Sequence, residues 1–325
     1  MKTILIGDAL SEAQGRALNT KLAGSGSFEV VTTSDRKEWA KRVQQAHVLI
    51  VRDEEISGRL IHDASCLELI LHLTPGQGGV DSKAATARGI EVDTLVNAGL
   101  LGVAEHTILL MLSLVKNLPE VHRRTAESLH ADSLKPTVTT QKDYTFNWSG
   151  VRNMDVLYRR TLGLIGLGTI GRLVARRARA FEMDVIYYDI QRLSEEAETR
   201  LGVCFVPFDD LLANADFVSL HTRVTPETEK FINAEVLAKM KSSAYLINTA
   251  RGRLVDEDAL DSALSRGVIA GAGLDVFWKE PPEKSNPLLS RGNVVLTSHC
   301  AGIFNDDAES MEVDFIARKI RTLCI

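Results

Sequence analysis

The sequence predicts an α/β protein built from two domains, each with a parallel β-sheet. Its 325 residues exceed the length that one hydrophobic core usually fills, so two domains are expected. Short β-branched and apolar runs alternate with helical patterns along the chain, which is typical of βαβ units. A polar, turn-rich stretch at 131–150 separates two such series and predicts a surface loop or a domain edge.

The first series starts at the N-terminus, where "MKTILIGDAL" indicates a first strand rather than a secretory signal. An apolar segment from Val103 to Val121 follows the series and is long enough for one buried helix. Its longest apolar run, at 107–115, is too short to span a bilayer. The predicted strands of this series are "TILIGD" (3–8), "EVVTT" (29–33), "HVLIVRD" (47–53), "LELILHLT" (67–74) and "IEVDTLV" (90–96).

The second series follows the polar stretch and has the same rhythm of strands and helices. It therefore predicts a second parallel α/β domain. Its predicted strands are "TLGLIG" (161–166), "DVIYYD" (184–189), "VCFV" (203–206), "FVSLH" (217–221), "AYLINT" (244–249), "GAGLDVF" (271–277) and "VVLTS" (294–298).

Charge and cysteine content narrow the class of partner. A formal net charge of -5 argues against nucleic acid or an anionic membrane as the main partner and favours a small molecule. The four cysteines form no C-x-x-C pair, so neither a disulfide framework nor a metal site is predicted. A reducing cytoplasm fits this pattern best.

The run "GLIGLGTIG" contains the strongest local signal, because Gly166, Gly168 and Gly171 form G-x-G-x-x-G directly after a strand and at the start of a helix. Such glycines permit a tight turn, a close approach to a pyrophosphate and close helix packing. Asp189 ends the next strand, where a carboxylate binds the ribose of NAD and disfavours a 2′-phosphate. Arg192 leaves NADP open, since a nearby Arg accepts that phosphate. The alternative is a glycine-rich turn with no ligand.

Seven blocks resemble the D-isomer-specific 2-hydroxyacid dehydrogenase family over nearly the whole chain. The resemblance implies that an NAD-binding Rossmann-like domain at 102–301 is inserted into a flavodoxin-like catalytic domain formed by 1–101 and 302–325. It also implies a homodimer formed through the long helix, although the apolar face of that helix fits burial inside the monomer equally well. The blocks are "GVDSKAATARGIEV", "VAEHTILLML", "TLGLIGLGTIGRLVA", "VSLHTRVTPETEKFI", "LINTARGRLVDEDAL", "GAGLDVFWKEPP" and "LTSHCAG". The cofactor contacts predicted with it are Gly166, Gly168, Thr169, Ile170, Asp189, His221, Thr249 and Asp275.

The family's catalytic Arg, Glu and His match Arg251, Glu280 and His299. Reduction of a 2-oxo acid requires a cation for the carboxylate and an acid for the carbonyl oxygen. Arg251 provides a planar fork for the carboxylate, and His299 gives or accepts the proton. Glu280 orients the imidazole ring and favours its charged form. Each residue alone also fits an ordinary surface or strand-end position.

The loop "TPGQGGVD" at 74–81 resembles the family's substrate loop and predicts substrate contacts at Gln77, Gly78 and Gly79, together with Arg251. His221 is interpreted as a structural or cofactor-side residue. Cys300 is not interpreted as a nucleophile, since adjacent strand residues point to opposite faces.

The sequence thus predicts an NAD-dependent enzyme that interconverts a small 2-oxo acid and its D-2-hydroxy acid. Two alternatives stay open within the same family. One is an NAD-sensing corepressor-like binding protein, and the other is oxidation of phosphite. The chain ends at Ile325, which predicts that the C-terminal regulatory domain of some family members is missing.

Overall fold

The computed structural model describes residues 2–7, 9–23, 28–33, 36–52, 54–73, 79–94, 98–130, 134–302 and 308–323. The chain divides into two compact units. The first is discontinuous in sequence and comprises Met1–Leu100 and Phe304–Ile325, whereas the second is the continuous segment Leu101–Ile303.

The first unit contains a five-stranded parallel sheet with the order β2-β1-β3-β4-β5, which is the flavodoxin-like order. Its strands are β1 (Lys2–Ile6), β2 (Phe28–Thr32), β3 (Val48–Val51), β4 (Leu69–His72) and β5 (Glu91–Thr94). Its helices are α1 (Glu12–Leu22), α2 (Arg36–Arg42), α3 (Gly58–Asp63), α4 (Ser82–Ala87) and α12 (Ala308–Leu323), with a short 3-10 helix at Val43–Gln45.

Both faces of this sheet are buried, as the apolar strands predict. Successive side chains of β1 alternate between the faces, so Ile4 and Ile6 belong to one apolar cluster and Leu5 to another. Ile316 and Ile320 of α12 complete the first cluster. The C-terminal helix is therefore part of the core of the N-terminal unit.

The second unit contains a seven-stranded parallel sheet with the order β12-β11-β10-β9-β6-β7-β8. The order reverses between β6 and β9, as in dinucleotide-binding folds, and ligands of such sheets bind at the carboxyl ends of the strands at that point. The strands are β6 (Thr161–Ile165), β7 (Asp184–Tyr188), β8 (Cys204–Phe205), β9 (Phe217–Leu220), β10 (Tyr245–Asn248), β11 (Gly271–Leu274) and β12 (Val294–Leu296).

The helices of this unit begin at side-chain caps in several places. Three of them begin after a residue whose side chain accepts a hydrogen bond from a first-turn N–H. These N-cap residues are Ser194, Asn233 and Asp256, which precede the helices that start at Glu195, Ala234 and Glu257. The helices are α5 (Ala98–Val115), whose first residues precede the unit boundary, α6 (Leu118–Ala126), α7 (Thr169–Ala180), α8 (Glu195–Leu201), α9 (Phe208–Asn214), α10 (Ala234–Lys239) and α11 (Glu257–Ser265). Two 3-10 helices lie at Gly252–Leu254 and Pro287–Ser290.

The prediction of one helix from Val103 to Val121 is wrong. The segment forms α5 and α6, which meet at an angle of 64°. Asn117 lies between them with a φ of 47°, in the left-handed region that no helix continues through, and Pro119 lies in the first turn of α6. No single helix of the described residues meets the length and apolarity needed to cross a membrane, although this bent pair does when taken together.

The predicted fold class, with two parallel α/β units, is confirmed. All twelve predicted strands are present, and each of them ends earlier than its predicted run. One early end matters for the site, because β12 stops at Leu296 and leaves His299 and Cys300 in a turn. The prediction that Cys300 and His299 are adjacent residues of a strand, with side chains on opposite faces, is therefore wrong. Residues 134–150 contain no helix or strand and are mostly exposed.

Candidate active site

The glycine-rich turn lies between β6 and α7, where the order of the seven-stranded sheet reverses. Gly166 has a φ of 96°, and a Cβ there would lie 2.5 Å from the carbonyl oxygen of His221. A Cβ at Gly171 would collide with the Gly166 oxygen. Gly168 faces open space and is the N-cap of α7 with no side-chain cap, so the first-turn N–H groups of this 12-residue helix are left for an anion.

Asp189 lies beside this turn, at the end of β7. Its Oδ2 accepts a hydrogen bond from the backbone N–H of Leu167 at 2.7 Å, and its Oδ1 accepts one from Gln191 at 3.0 Å. Thr169 and Ile170 form the start of α7. The uncapped helix start and the adjacent carboxylate fit the pyrophosphate and ribose of a dinucleotide. Individual contacts with that cofactor stay predictions.

His221 follows β9 at the same edge of the sheet. Its Nε2 lies 2.9 Å from Ser219 Oγ, and its buried Nδ1 has no hydrogen-bond partner among the residues that the structure describes. Burial lowers the pKa of His221 to about 4, because the charged ring would lose its hydration. His221 is therefore neutral near pH 7 and is a poor proton carrier there.

His299 and Glu280 form a direct pair. His299 Nδ1 lies 2.6 Å from Glu280 Oε2, while Glu280 Oε1 accepts the backbone N–H of Phe277 at 3.0 Å. His299 has a φ of 54°, which an L-residue rarely adopts, and its backbone N–H donates to the carbonyl oxygen of Asp275 at 2.7 Å. The pairing of Nδ1 leaves Nε2 as the ring atom for a substrate.

Asp275 fixes the turn that carries His299. Its fully buried carboxylate accepts a hydrogen bond from the Thr297 hydroxyl at 2.6 Å on Oδ1. The same Oδ1 accepts Cys300 N–H at 3.0 Å, and Oδ2 accepts Ala301 N–H at 3.0 Å. These bonds hold both sides of the left-handed residue. Asp275 was predicted as a cofactor contact, and that contact stays a prediction.

Arg251 follows β10 and is exposed at the start of the 3-10 helix Gly252–Leu254. Its Nη1 donates to the carbonyl oxygen of Ala250 at 2.6 Å. The next residue, Gly252, packs so closely that a Cβ would overlap the backbone of Phe277 and Trp278. The turn of Arg251 and the segment that holds Glu280 are therefore in direct contact.

The surroundings of the remaining predicted residues differ. Thr249 is buried, and its hydroxyl lies 3.0 Å from that of Thr107. Gln77 and Gly78 lie outside the described residues. Gly79 is exposed and belongs to the N-terminal unit, where its carbonyl oxygen accepts the N–H of Ile56 at 2.8 Å. Its contact with substrate stays a prediction.

Glu257 is a supporting residue that the sequence alone does not predict. Its Oε1 accepts the backbone N–H of Trp278 at 2.6 Å, and its Oε2 accepts the side-chain amide of Asn286 at 2.9 Å. These bonds hold both ends of the loop that contains Glu280. In the sequence Glu257 is an ordinary acid in the first turn of a helix, so only its distant partners reveal this role.

His106, Asp275 and Cys300 place potential metal-ligand atoms within 4.8 Å of one another. The Asp275 oxygens already accept the hydrogen bonds of the turn, and His106 Nε2 lies 2.8 Å from the Thr297 hydroxyl that donates to Asp275. We therefore assign these side chains to the support of the His299 turn.

Comparison with known proteins agrees with this geometry. Residues 108–301 match the family model described as D-isomer specific 2-hydroxyacid dehydrogenase, NAD binding domain. The chain belongs to this family. Its second unit accordingly contains the NAD-binding domain of this family, and NAD is the cofactor.

Two relatives illustrate the similarity along the chain. A D-3-phosphoglycerate dehydrogenase of Methanocaldococcus jannaschii is 38% identical over 323 residues, which is 99% of this chain but 57% of that protein. A glyoxylate reductase of Korarchaeum cryptofilum is 36% identical over 277 residues, covering 85% of this chain and 79% of that protein. The chain thus spans little more than half the length of the first relative.

One similar solved structure contains NAD together with a 2-hydroxy acid. It is the D-lactate dehydrogenase of Aquifex aeolicus complexed with NAD and lactic acid, with a TM-score of 0.56 and 28% identity, covering 98% of this chain and 95% of that chain. The sequence comparison and the structural comparison therefore agree on the fold and on the family.

Proposed function

We propose that this chain is an NAD-dependent oxidoreductase that interconverts a small 2-oxo acid and its D-2-hydroxy acid. The observation that carries the proposal is the 2.6 Å pair between His299 Nδ1 and Glu280 Oε2, in a segment that contacts the turn of Arg251. We further propose that the discontinuous unit, 1–101 with 302–325, contributes substrate contacts through Gln77, Gly78 and Gly79. Residues 102–301 form the cofactor domain in this proposal.

His299 exchanges the proton in this mechanism. Glu280 accepts the Nδ1 hydrogen, so Nε2 faces the carbonyl oxygen and protonates it during reduction. In oxidation the neutral ring takes the hydroxyl proton at the same atom. The carboxylate of Glu280 stabilises the imidazolium that forms. His221 does not compete for this role, because its pKa is lowered to about 4.

Arg251 binds the substrate carboxylate. Its exposed guanidinium offers two parallel N–H donors, which match the two oxygens of a carboxylate. The same cation favours the negative charge that develops on the carbonyl oxygen. NADH, when bound, supplies the hydride for reduction of the carbonyl carbon.

The proposal is tested by NADH oxidation with a panel of 2-oxo acids, including glyoxylate, pyruvate, hydroxypyruvate and its 3-phosphate. We expect turnover with at least one of them. A chain that binds NADH but reduces none of the panel would favour the corepressor-like alternative. NAD reduction by phosphite in the same assay would favour the phosphite alternative.

Glu280→Gln should lower the rate of reduction by about ten- to a hundredfold, which is less than the loss expected on replacing His299 itself. The amide keeps a hydrogen bond to the ring of His299 but carries no charge to stabilise the developing imidazolium, and loss of one charged hydrogen bond costs about 1.5–3 kcal/mol. Reduction rates of the wild type and Glu280→Gln at one pH and saturating NADH check this. A wild-type rate in Glu280→Gln would contradict the pairing.

We predict a preference for NADH over NADPH. Asp189 faces the glycine-rich turn, so its negative charge repels a 2′-phosphate at the adjacent ribose. Asp189→Ala should narrow the difference in kcat/KM between the two cofactors. Equal efficiency of the wild type with both cofactors would disprove the assignment.

We also propose a homodimer. Leu109 of α5 and Leu118 of α6 are exposed apolar side chains, and further ones follow in the extended segment after α6, including Tyr144 and Phe146, with Phe146 84% exposed. Large exposed apolar side chains are common at protein interfaces. Light scattering should give twice the monomer mass, and Phe146→Asp with Leu109→Asp should lower it to the monomer mass. A monomeric wild type would refute the proposal.

A further inference from the structure

Arg192 lies three residues after Asp189, where an Arg in related folds can bind a 2′-phosphate. In this chain its guanidinium is already engaged. Nε donates to Glu198 Oε1 at 2.9 Å and Nη2 donates to Glu198 Oε2 at 3.1 Å, which is a bidentate ion pair. The guanidinium also lies over the ring of Phe205, with its carbon 5.3 Å from the ring centre.

Glu198 is fixed in the position that makes this pair. It is buried, although α8 is otherwise largely exposed, and its Oε1 also accepts the Tyr187 hydroxyl at 2.8 Å. The Tyr187 oxygen in turn accepts the backbone N–H of Leu193 at 2.9 Å. The loop from Asp189 to α8 is therefore tied to β7 by the same carboxylate that holds Arg192.

We propose that Glu198 is a specificity-determining residue that keeps Arg192 from binding a 2′-phosphate. The proposal rests on the NAD-dependent function proposed above. A phosphate at the ribose would have to compete with a fixed, buried carboxylate for the planar fork of Arg192. The Arg192–Glu198 pair is neutral as a unit, so the negative charge of Asp189 stays uncompensated. NADPH is thus disfavoured by two elements, a repelling carboxylate and an engaged guanidinium.

The expected consequence is specific to the carboxylate of Glu198. Glu198→Ala releases the guanidinium of Arg192, and the affinity for NADPH should rise relative to that for NADH. We expect the ratio of the two dissociation constants to shift by about tenfold, while Asp189 still opposes complete reversal. Glu198→Gln keeps the side-chain volume and a hydrogen bond to Tyr187, and it should shift the ratio in the same direction by a smaller factor.

The experiment measures equilibrium binding of NADH and NADPH to the full chain by calorimetry, without turnover. Glu196→Ala is the matched control, because it removes the same charge from an exposed position on the same helix. It should leave the ratio within about twofold of the wild type, since exposed charges are strongly screened. Arg192→Ala combined with Glu198→Ala should abolish the gain, because no guanidinium is left to bind the phosphate.

The outcomes separate this proposal from the proposed function. If Glu198→Ala does not fold, Glu198→Gln decides the test. A wild-type ratio in a variant that still binds NADH would overturn the role of Glu198 and leave the dehydrogenase proposal intact. An equal gain in Glu196→Ala would assign the effect to net charge and also overturn it. Failure of the wild type to bind NADH would overturn both proposals.

Discussion

Replacing His299 with glutamine should lower the rate of 2-oxo acid reduction by about two to four decades, the usual range for loss of a general acid. Glutamine keeps a polar side chain of similar length but has no group that titrates. Its amide can still donate to Glu280, so the loop should keep its position. NADH affinity should be unchanged, because the glycine-rich turn and Asp189 are untouched.

Single-turnover reduction at saturating NADH is the measurement that isolates this effect, since it separates chemistry from product release. His62→Gln is the matched control, because this side chain is 87% exposed and belongs to the other unit. The control should retain wild-type rates. Near-native turnover in His299→Gln would show that another group carries the proton.

The strands and the dinucleotide turn were predictable because their signals are local. Apolar runs such as "HVLIV" indicate strands that are buried on both faces of a sheet. The spacing of the glycines indicates a backbone constraint within a few residues. The break between α5 and α6 was predictable in part, because Pro119 cannot continue a helix without losing a hydrogen bond. The exact position of the break was not, since it depends on the left-handed φ of Asn117.

The supporting carboxylates were not predictable, because their roles depend on partners far along the chain. Asp275 holds the turn at 297–301, and Glu257 holds the loop that starts at Trp278. Glu198 reaches only six residues back to Arg192, yet its burial depends on the packing of α8 against the sheet. Sequence spacing gives no measure of these contacts, whereas the tertiary fold fixes them.

Arg251→Lys should keep the fold and NADH binding while lowering kcat/KM by roughly ten- to a hundredfold. Lysine retains the positive charge but replaces two parallel donors with one ammonium group. Loss of one well-placed charged hydrogen bond costs about 1.5–3 kcal/mol, which corresponds to that factor. The loss in kcat/KM should be larger for a 2-oxo acid than for an uncharged analogue of it, because Arg251 interacts with the carboxylate.

Arg253 offers a matched control two positions away on the same turn. Its guanidinium donates to Glu229 at 2.7 Å and lies 5.6 Å from the centre of the Trp278 ring, so it is engaged within the protein. Arg253→Lys should therefore stay within about twofold of wild-type kcat/KM, since exposed ion pairs contribute about 0–1 kcal/mol. Equal losses in both lysine variants would indicate distortion of the turn, and native activity in Arg251→Lys would remove Arg251 from the substrate site.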